Sequence, residues 1–318
     1  MSFTQQTGTS AIVFPGQGSQ SIGMLAELAN DWPQVSESFA QASDVLGYDL
    51  WKLVQDGPEA DLNQTDKTQP AMLAAGIACW RVWLAAGGAT PTYMAGHSLG
   101  EYTALVASGA IEFSAAIKLV EKRGQLMQAA VPQGQGAMAA ILGLTDEQVI
   151  AACEQAAEGD VVQAVNFNAP GQVVVAGASA AVERAIDGAK QAGAKRALKL
   201  PISVPSHCAL MSEAAAELTK SLNELEIKTP EIKVIHNVDV ASYDSADAIR
   251  EVLAKQLYSP VRWVETIQAL SQSGVTSLIE CGPGKVLAGL TKRINRDVTA
   301  LPVFDAASLA KALEAHKA

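Results

Sequence analysis

One short segment constrains the fold of this chain more than any other. Residues 96–100 have the sequence G-H-S-L-G, the pattern G-x-S-x-G with Ser98 at its centre. Residues 91–95 favour the end of an apolar strand, and residues 101–109 favour a helix that ends at a glycine. This order of strand, tight turn and helix is typical of a nucleophile elbow, which exposes the serine hydroxyl. A chance serine in a glycine-rich turn is the alternative that so short a motif leaves open.

Strands and helices alternate along most of the chain, which favours an α/β fold with a parallel sheet. Residues 11–14 predict a first buried strand, and a loop with two glycines follows it. Helical patterning dominates from Trp32 to Trp83, and the strand and helix around Ser98 come next. After residue 200 the alternation returns, with helices expected from about Cys208 and over residues 246–256 and strands at residues 234–237 and 277–281.

The middle of the chain has a different pattern. Strands are expected at residues 136–142, 161–167, 172–176 and 194–200, with helices at 145–157 and 179–192 and a hairpin turn at 168–171. The order β-α-β-β-α-β is that of a ferredoxin-like unit. We therefore predict a small ferredoxin-like α+β domain of residues 131–200, inserted into a large α/β-hydrolase-like domain of residues 1–130 and 201–318.

The composition is that of a soluble globular protein with a sizeable core. Hydrophobic residues make up 49% of the 318 residues and charged residues 18%. No apolar run reaches the ~18 residues that a membrane span needs. The polar segment 1–10 lacks the features of a signal peptide, so we interpret it as a short loose tail. These features predict a cytoplasmic protein without a membrane partner.

Cysteine spacing and net charge argue against a metal site, a disulfide framework and nucleic-acid binding. The four cysteines lie far apart and form no C-x-x-C pair, which argues against a zinc site and against a disulfide framework. We expect reduced thiols and no metal. The net charge of −10 argues against a general nucleic-acid binder, which needs a basic surface.

A reactive serine needs a base within hydrogen-bond reach, and the chain has four histidines. His97 is adjacent to Ser98, and side chains of consecutive residues in a turn diverge. His236 lies in a predicted apolar strand, where a structural role is favoured, and His316 lies in the C-terminal tail. His207 remains, in a loop with a nearby proline. Elimination alone leaves its role as base open.

Arg123 lies in a predicted amphipathic helix over residues 117–127. A solvated surface arginine is the ordinary interpretation of such a position. The alternative is a guanidinium that binds a substrate carboxylate through two parallel hydrogen bonds. The spacing of the sequence does not decide between the two.

The chain resembles the malonyl-CoA–acyl carrier protein transacylases of bacterial fatty acid synthesis, nearly end to end from about residue 11 to residue 296. The resemblance depends on the order and spacing of eight segments, at residues 14–20, 68–71, 96–102, 123–128, 166–172, 204–207, 256–258 and 280–287. We find no departure at a position that the family uses for catalysis.

The resemblance implies a role for each site residue. Ser98 would be the nucleophile and His207 its base, with the imidazole oriented by the backbone carbonyl of Gln256. The backbone N–H groups of Gln17 and Leu99 would form the oxyanion hole, and Arg123 would bind the malonyl carboxylate. The implied reaction is ping-pong transfer of a malonyl group through a malonyl-serine ester, with no metal and no resident cofactor.

The implied partners are malonyl-CoA and holo acyl carrier protein, which is acidic. Because this chain is also acidic, docking requires a local basic patch. The sequence offers two candidates, one in the small domain at Lys190, Lys195, Arg196 and Lys199 and one nearer the C-terminus at Lys285, Lys292 and Arg293. Ordinary solvated lysines are the alternative for both.

Other functions share parts of this pattern. A serine thioesterase or esterase of the α/β-hydrolase type would have the same elbow, with an acidic third residue and no use for Arg123. A non-enzymatic carrier-protein or CoA-binding module would not need Ser98, His207 and Arg123 together. A discrete polyketide acyltransferase would use the same chemistry. Tolerance of methylmalonyl groups and the oligomeric state do not follow from the sequence.

Overall fold

The computed structural model describes residues 9–202 and 204–317, and within them strands and helices alternate along most of the chain. The strands are β1 (Thr9–Phe14), β2 (Tyr93–Gly96), β3 (Gly136–Leu142), β4 (Val162–Ala169), β5 (Gln172–Ala178), β6 (Arg196–Lys199), β7 (Lys233–Ile235), β8 (Val275–Cys281) and β9 (Thr299–Val303). The helices are α1 (Ala26–Asp31), α2 (Pro33–Leu46), α3 (Leu50–Asp56), α4 (Glu59–Leu62), α5 (Thr65–Ala85), α6 (Leu99–Ala107), α7 (Phe113–Ala130), α8 (Asp146–Ala157), α9 (Ser179–Gln191), α10 (Ser212–Glu224), α11 (Ala246–Gln256), α12 (Trp263–Gln272), α13 (Val286–Ile294) and α14 (Ala306–Lys317).

Five strands form a parallel sheet in the order β7-β2-β1-β8-β9. Both faces of β1 are buried, because Ile12 and Phe14 pack into one hydrophobic cluster and Ala11 and Val13 into another. A continuous apolar run is what a strand covered by helices on both faces requires. The predicted mixed α/β architecture with a parallel sheet is therefore confirmed.

The remaining four strands form a second, antiparallel sheet in the order β4-β5-β3-β6. Helices α8 and α9 pack on this sheet and enclose a hydrophobic cluster of their own. The edge strand β4 also contacts the larger part of the chain, since the N–H of Phe167 donates to the carbonyl of Val261 and the N–H of Val261 to the carbonyl of Val165. These bonds fix the small sheet beside the large one.

The structure corrects several predicted boundaries. Residues 168 and 169 belong to β4, so the turn predicted at 168–171 contains only Pro170 and Gly171. A register shift between Phe167 and Ala169 lets the strand continue past the expected stop. Helix α10 begins at Ser212, after a 3₁₀ turn over Ala209–Met211, rather than at Cys208.

The ends of the chain differ from the predictions as well. Of the predicted tail, residues 1–8 lie outside the described residues, whereas Thr9 and Ser10 begin β1. Strand β9 was not predicted, because it contains Pro302, which has no N–H group to donate to a neighbouring strand. The strand lies at the edge of the sheet, where proline is tolerated. Within the described residues no helix has both the length and the apolar character that crossing a membrane requires.

Candidate active site

Ser98 lies between the end of β2 and the start of α6, with φ 52° and ψ −110°. A non-glycine residue in so sparsely populated a region costs about 1–3 kcal/mol. The flanking glycines make the turn possible. A Cβ on Gly96 would lie 1.9 Å from the carbonyl carbon of Gly100, and a Cβ on Gly100 would lie 2.0 Å from the carbonyl oxygen of Phe14. The motif therefore forms a tight elbow, with Ser98 lining a cavity.

His207 lies beside the serine. The Ser98 Oγ atom is 2.7 Å from Nε2 of the imidazole, and Nδ1 is 2.7 Å from the backbone oxygen of Gln256. Since a carbonyl only accepts, Nδ1 carries the ring proton and the Ser98 hydroxyl donates to Nε2. The structure thus brings together three residues that lie far apart in the sequence.

The imidazole of His207 is only 3% exposed. Burial, and secondarily the positive charge of Arg123, lower the pKa of His207 to about 3. The ring is consequently neutral near neutral pH, which is the form that accepts a proton from a hydroxyl.

The other histidines have different surroundings. The Nε2 atom of His97 is 2.8 Å from Oδ1 of Asn168, and its ring lies against Trp263 with centroids 5.5 Å apart. His236 follows β7 instead of lying within it, is fully buried, and has Nδ1 2.7 Å from a carboxylate oxygen of Glu101. The side chain of His316 lies outside the described residues.

Arg123 is 1% exposed and reaches the serine from α7. Its Nη1 atom donates to Oε1 of Gln69 (2.8 Å), and Nη2 donates to Oε1 of Gln256 (3.0 Å) and more weakly to Ser98 Oγ (3.4 Å). Burial lowers the pKa of the guanidinium. Among the described residues no carboxylate forms an ion pair with it.

A buried charge without an ion-pair partner is costly, and a guanidinium placed in this way is suited to binding an anionic ligand. The two glutamine oxygens hold the planar group in place and carry no charge of their own. Arg123 is thus not the solvated surface arginine that the sequence left open.

Gln17 and Leu99 line the cavity on either side of the serine. Leu99 is the first residue of α6, and the first N–H groups of a helix have no partner within the helix. Gln17 follows β1, and its side chain donates to Oγ1 of Thr65 at 3.4 Å. No hydrogen bond within the described part of the chain uses the backbone N–H of either residue.

The cavity has a volume of about 620 Å³, which lies in the range of ordinary small-molecule sites. Its polar base contains Ser98, His207 and Arg123. Its apolar walls come from the small antiparallel sheet, from the residue that follows β6 and from α13, through Met138, Ala140, Val174, Leu200, Val286, Leu287 and Leu290. The shape suits a ligand with a long uncharged stem and a polar reacting end.

Two residues that the sequence analysis missed support the elbow. The side chain of Asn237 contacts the backbone on both sides of His97, and Gln69 holds Arg123. A signal for Asn237 exists, because it is the last residue of the strand predicted at 234–237 and the carboxyl ends of parallel strands meet at one edge of a sheet. Gln69 lies within a long helix and carries no comparable signal.

The described residues include no cluster of three or more histidine, cysteine, aspartate or glutamate side chains that could hold a metal ion. All four cysteines are buried free thiols.

The two predicted basic groups differ in their pairing. In the small-domain group, Lys190 pairs with Asp187 (3.2 Å) and Lys199 with Glu183 (2.9 Å). In the second group, Arg293 donates to Gln172, while Lys285 and Lys292 are exposed. Within the described residues neither of these two lysines has an ion-pair partner. Lys285 immediately precedes α13, and Lys292 and Arg293 lie in its last turn. Other residues of α13 line the cavity.

Comparisons with known proteins place the chain in a family. The sequence matches the acyl transferase domain family over residues 11–311. The malonyl CoA-acyl carrier protein transacylase of Haemophilus influenzae is 60% identical over 299 residues, which cover 94% of this chain and 96% of that protein.

Solved structures show the same similarity. An acyl carrier protein S-malonyltransferase from Vibrio cholerae is 61% identical, with a TM-score of 0.93 over 95% of this chain and 99% of that one. A malonyl transacylase in complex with a type II polyketide synthase acyl carrier protein is 58% identical, with a TM-score of 0.95 over 96% and 99% of the two chains.

Proposed function

This chain belongs to the malonyl-CoA–acyl carrier protein transacylase family, and we propose that it moves a malonyl group from CoA to a carrier-protein thiol through an ester on Ser98. It is an acyltransferase that supplies malonyl-carrier protein for fatty acid elongation. One observation carries the assignment of the site: a serine paired with a neutral imidazole lies 3.4 Å from a buried guanidinium that has no carboxylate partner among the described residues.

In the first half-reaction, Ser98 attacks the thioester carbonyl of malonyl-CoA while its proton moves to Nε2 of His207. The backbone N–H groups of Gln17 and Leu99 stabilise the tetrahedral oxyanion. One such donor is worth about 10²–10³ in rate. When the C–S bond breaks, the imidazolium protonates the departing thiolate, so CoA leaves as a thiol and a malonyl-serine ester remains.

The second half-reaction runs the same steps in reverse. The phosphopantetheine thiol of the carrier protein gives its proton to His207 and attacks the ester carbonyl. The C–O bond to Ser98 then breaks, and the imidazolium returns the proton to the serine oxygen. Since CoA leaves before the carrier protein reacts, the kinetics are ping-pong. Both thiol carriers are substrates, so the chemistry requires no resident cofactor.

Arg123 binds the free carboxylate of the malonyl group. Two glutamine oxygens hold its guanidinium in place, which leaves N–H groups for a carboxylate, and bidentate pairing of this kind is geometrically specific. The carboxyl end of the substrate then lies beside the nucleophile. This arrangement places the thioester carbonyl over Ser98 and the pantetheine stem in the apolar part of the cavity.

Carrier protein docks at the basic group of α13. Lys285 and Lys292 are exposed cations without an ion-pair partner among the described residues, whereas two members of the small-domain group are already paired. Helix α13 also lines the cavity. A phosphopantetheine arm from a protein bound there has a short path to Ser98.

We also propose a division into two domains, which the two separate sheets support. Residues 131–200 form an inserted ferredoxin-like domain, supported by the strand order β4-β5-β3-β6 and a separate hydrophobic cluster. Residues 1–130 and 201–318 form the hydrolase-like catalytic domain, supported by the elbow at Ser98. We assign the protein to the cytoplasm, where malonyl-CoA and carrier protein are available.

A second candidate function has the same chemistry and differs only in the carrier protein that receives the malonyl group. The relative solved with a type II polyketide synthase carrier protein is 58% identical, which supports service to a polyketide carrier as an alternative role. Hydrolysis has less support, because a carbonyl and not a carboxylate contacts Nδ1 of His207.

The test is a product assay. The protein is incubated with malonyl-CoA alone, with holo acyl carrier protein of fatty acid synthesis, or with a polyketide carrier protein, and CoA, malonyl-carrier protein and free malonate are measured. We expect malonyl-carrier protein to account for the CoA released in excess of enzyme. Free malonate as the main product would identify a hydrolase, and a strong preference for the polyketide carrier would favour the second candidate.

A further inference from the structure

The side-chain amide of Asn237 contacts the backbone on both sides of His97. Its Oδ1 atom accepts from the N–H of Ser98 (2.7 Å), and its Nδ2 atom donates to the carbonyl of Gly96 (2.7 Å). We propose that Asn237 is a positioning residue for acyl transfer, which holds Ser98 in the strained backbone conformation that aims its hydroxyl at His207. This proposal rests on the proposed role of Ser98 as nucleophile.

The first support is that Ser98 does not cap its own helix. A serine at the N-cap of a helix ordinarily uses its hydroxyl to satisfy a free N–H group of the first turn. Here the Ser98 side chain makes no such bond, because it is committed to His207. The turn therefore takes its stabilisation from elsewhere, and Asn237 supplies it through two backbone contacts.

The second support is a closed ring of hydrogen bonds. The N–H of Glu101 donates to the carbonyl of Ser98 (3.0 Å), and a carboxylate oxygen of Glu101 accepts from the backbone N–H of Asn237 (2.8 Å). The side-chain oxygen of Asn237 accepts from the N–H of Ser98, which closes the ring. The other oxygen of Glu101 is 2.7 Å from Nδ1 of His236, which fixes the carboxylate.

The third support is location. Glu101, His236 and Asn237 are fully buried, and none of them lines the cavity. Asn237 thus reaches the backbone of the nucleophile without access to the substrate. A residue placed in this way affects the rate of the chemical step and leaves substrate binding to the cavity and Arg123.

A side-chain amide can accept from the N–H of Ser98 and donate to the carbonyl of Gly96 at the same time. In Asn237→Asp the oxygen that faces the Ser98 N–H is kept, but the donor that faces the Gly96 carbonyl becomes an acceptor. In Asn237→Ala both contacts are lost. The Asn295→Asp variant is a matched control, because the Asn295 amide donates to Ser271 (2.8 Å) and lies outside the cavity.

The experiment measures single-turnover acylation of each variant by malonyl-CoA, through CoA release, over a range of malonyl-CoA concentrations. Thermal unfolding gives the folded fraction at the assay temperature. We expect the saturating rate per folded molecule to fall roughly tenfold to a hundredfold in both Asn237 variants, since a small misplacement of reacting groups costs about that much. The half-saturating concentration should stay within about threefold of wild type, and Asn295→Asp should acylate at the wild-type rate.

Three results overturn the proposal: an unchanged rate per folded molecule, a rise in half-saturating concentration that accounts for the loss, or failure of both Asn237 variants to fold. The first denies any effect on the nucleophile, the second indicates a binding role, and the third a purely structural one. The Ser98→Ala variant, run alongside, separates the two claims. If it still acquires a malonyl group, the proposed nucleophile is wrong, whereas an inert Ser98→Ala with normal Asn237 variants rejects only the positioning role.

Discussion

At the scale of single residues, His207 and Arg123 differ in charge: the imidazole is neutral and the guanidinium is positive. The imidazole is neutral because burial and the nearby guanidinium both disfavour its protonated form. If Arg123 binds the malonyl carboxylate as proposed, that carboxylate offsets the positive charge that His207 experiences. Substrate binding would then make it easier for His207 to take the serine proton when the ester forms, and an acyl group without a carboxylate would lack this effect.

Arg123→Ala should reduce malonyl transfer by roughly a hundredfold to several thousandfold, because the substrate carboxylate would be buried without a partner at a cost of about 3–5 kcal/mol. Acetyl transfer should be kept or should increase, since an acetyl group has no carboxylate to pair. Parallel steady-state assays with malonyl-CoA and acetyl-CoA measure both rates. An equal loss with the two substrates would assign Arg123 to the support of Ser98 and not to carboxylate binding.

The pKa of His207 also predicts how stability depends on pH. The pKa is lowered from 6.5 to about 3 on folding, so between these values the unfolded chain binds a proton at His207 that the native protein does not. The free energy of unfolding of the wild type therefore falls as the pH drops below the unfolded value. The neutral variant His207→Gln has no such titration. The difference in free energy of unfolding, variant minus wild type, should therefore rise by about 2 kcal/mol when the pH is lowered from about 7 to about 5.

Urea unfolding of both proteins at the two pH values tests this prediction. Other buried groups, including His97, are common to both proteins and cancel in the difference. A constant difference between wild type and variant would mean that His207 titrates alike in the folded and unfolded chains.

Sequence patterns identify these residues unequally. Ser98 follows from a motif whose glycines the backbone geometry requires. The assignments of His207, Arg123 and Gln256 needed the family resemblance, because long-range contacts leave no local pattern. Gln69 was missed for the same reason, since it acts on a residue more than 50 positions away. Asn237 also acts over a long range, but its place at the end of a predicted strand offered a signal that the sequence analysis did not use.

At the scale of elements, α13 illustrates how the cavity wall is held. No side chain at the N-cap of α13 satisfies its first turn. Instead the buried carboxylate of Glu280, at the end of β8, accepts from the N–H groups of Leu287 (3.0 Å) and Ala288 (2.8 Å). Burial raises the pKa of Glu280 to about 7. A strand residue thus fixes the start of a helix that lines the substrate cavity.

At a pH well above the raised pKa of Glu280, where its carboxylate is charged, Glu280→Ala should destabilise the protein by about 2–4 kcal/mol, because two buried helix N–H groups lose a charged acceptor. Thr145→Ala removes a solvent-exposed cap from α8 and should cost only about 1 kcal/mol. Chemical denaturation of both variants at the same pH compares the two losses. Equal losses would show that burial adds nothing to the Glu280 contact.

Local patterns predicted the elements of the small sheet and the first strands of the large sheet, because apolar alternation and capping residues mark them. The end of the chain was harder to predict. Strand β9 contains a proline, and its place at the sheet edge depends on β8, which no local pattern reveals. The bulge that extends β4 past residue 167 likewise depends on pairing with β5 and Val261.

At the scale of the whole molecule, the small sheet, the loops that follow β1 and β2, and α13 all line the cavity, and net charge opposes the approach of an acidic partner. The chain carries a net charge of −10, so any attraction to carrier protein is local. Such attraction between exposed charges is screened within ~10 Å at moderate salt.

Charge reversal at Lys285 and Lys292 should raise the KM for carrier protein roughly tenfold at low salt, because like charges then face an acidic partner. The matched reversal of Lys195 and Arg196 in the small domain should have a smaller effect. Transfer assays at varied carrier-protein concentration, repeated at high salt, measure both. A larger effect of the small-domain pair would move the docking site to that surface.

The most direct test of the whole account is to quench the protein after mixing with malonyl-CoA and to locate the acyl group by peptide mass mapping. Wild-type protein should carry one malonyl group on the Ser98 peptide and lose it to holo carrier protein when that is added. Ser98→Ala should acquire none, and His207→Ala should acquire it far more slowly. A malonyl group on another residue, or full transfer by Ser98→Ala, would contradict the account.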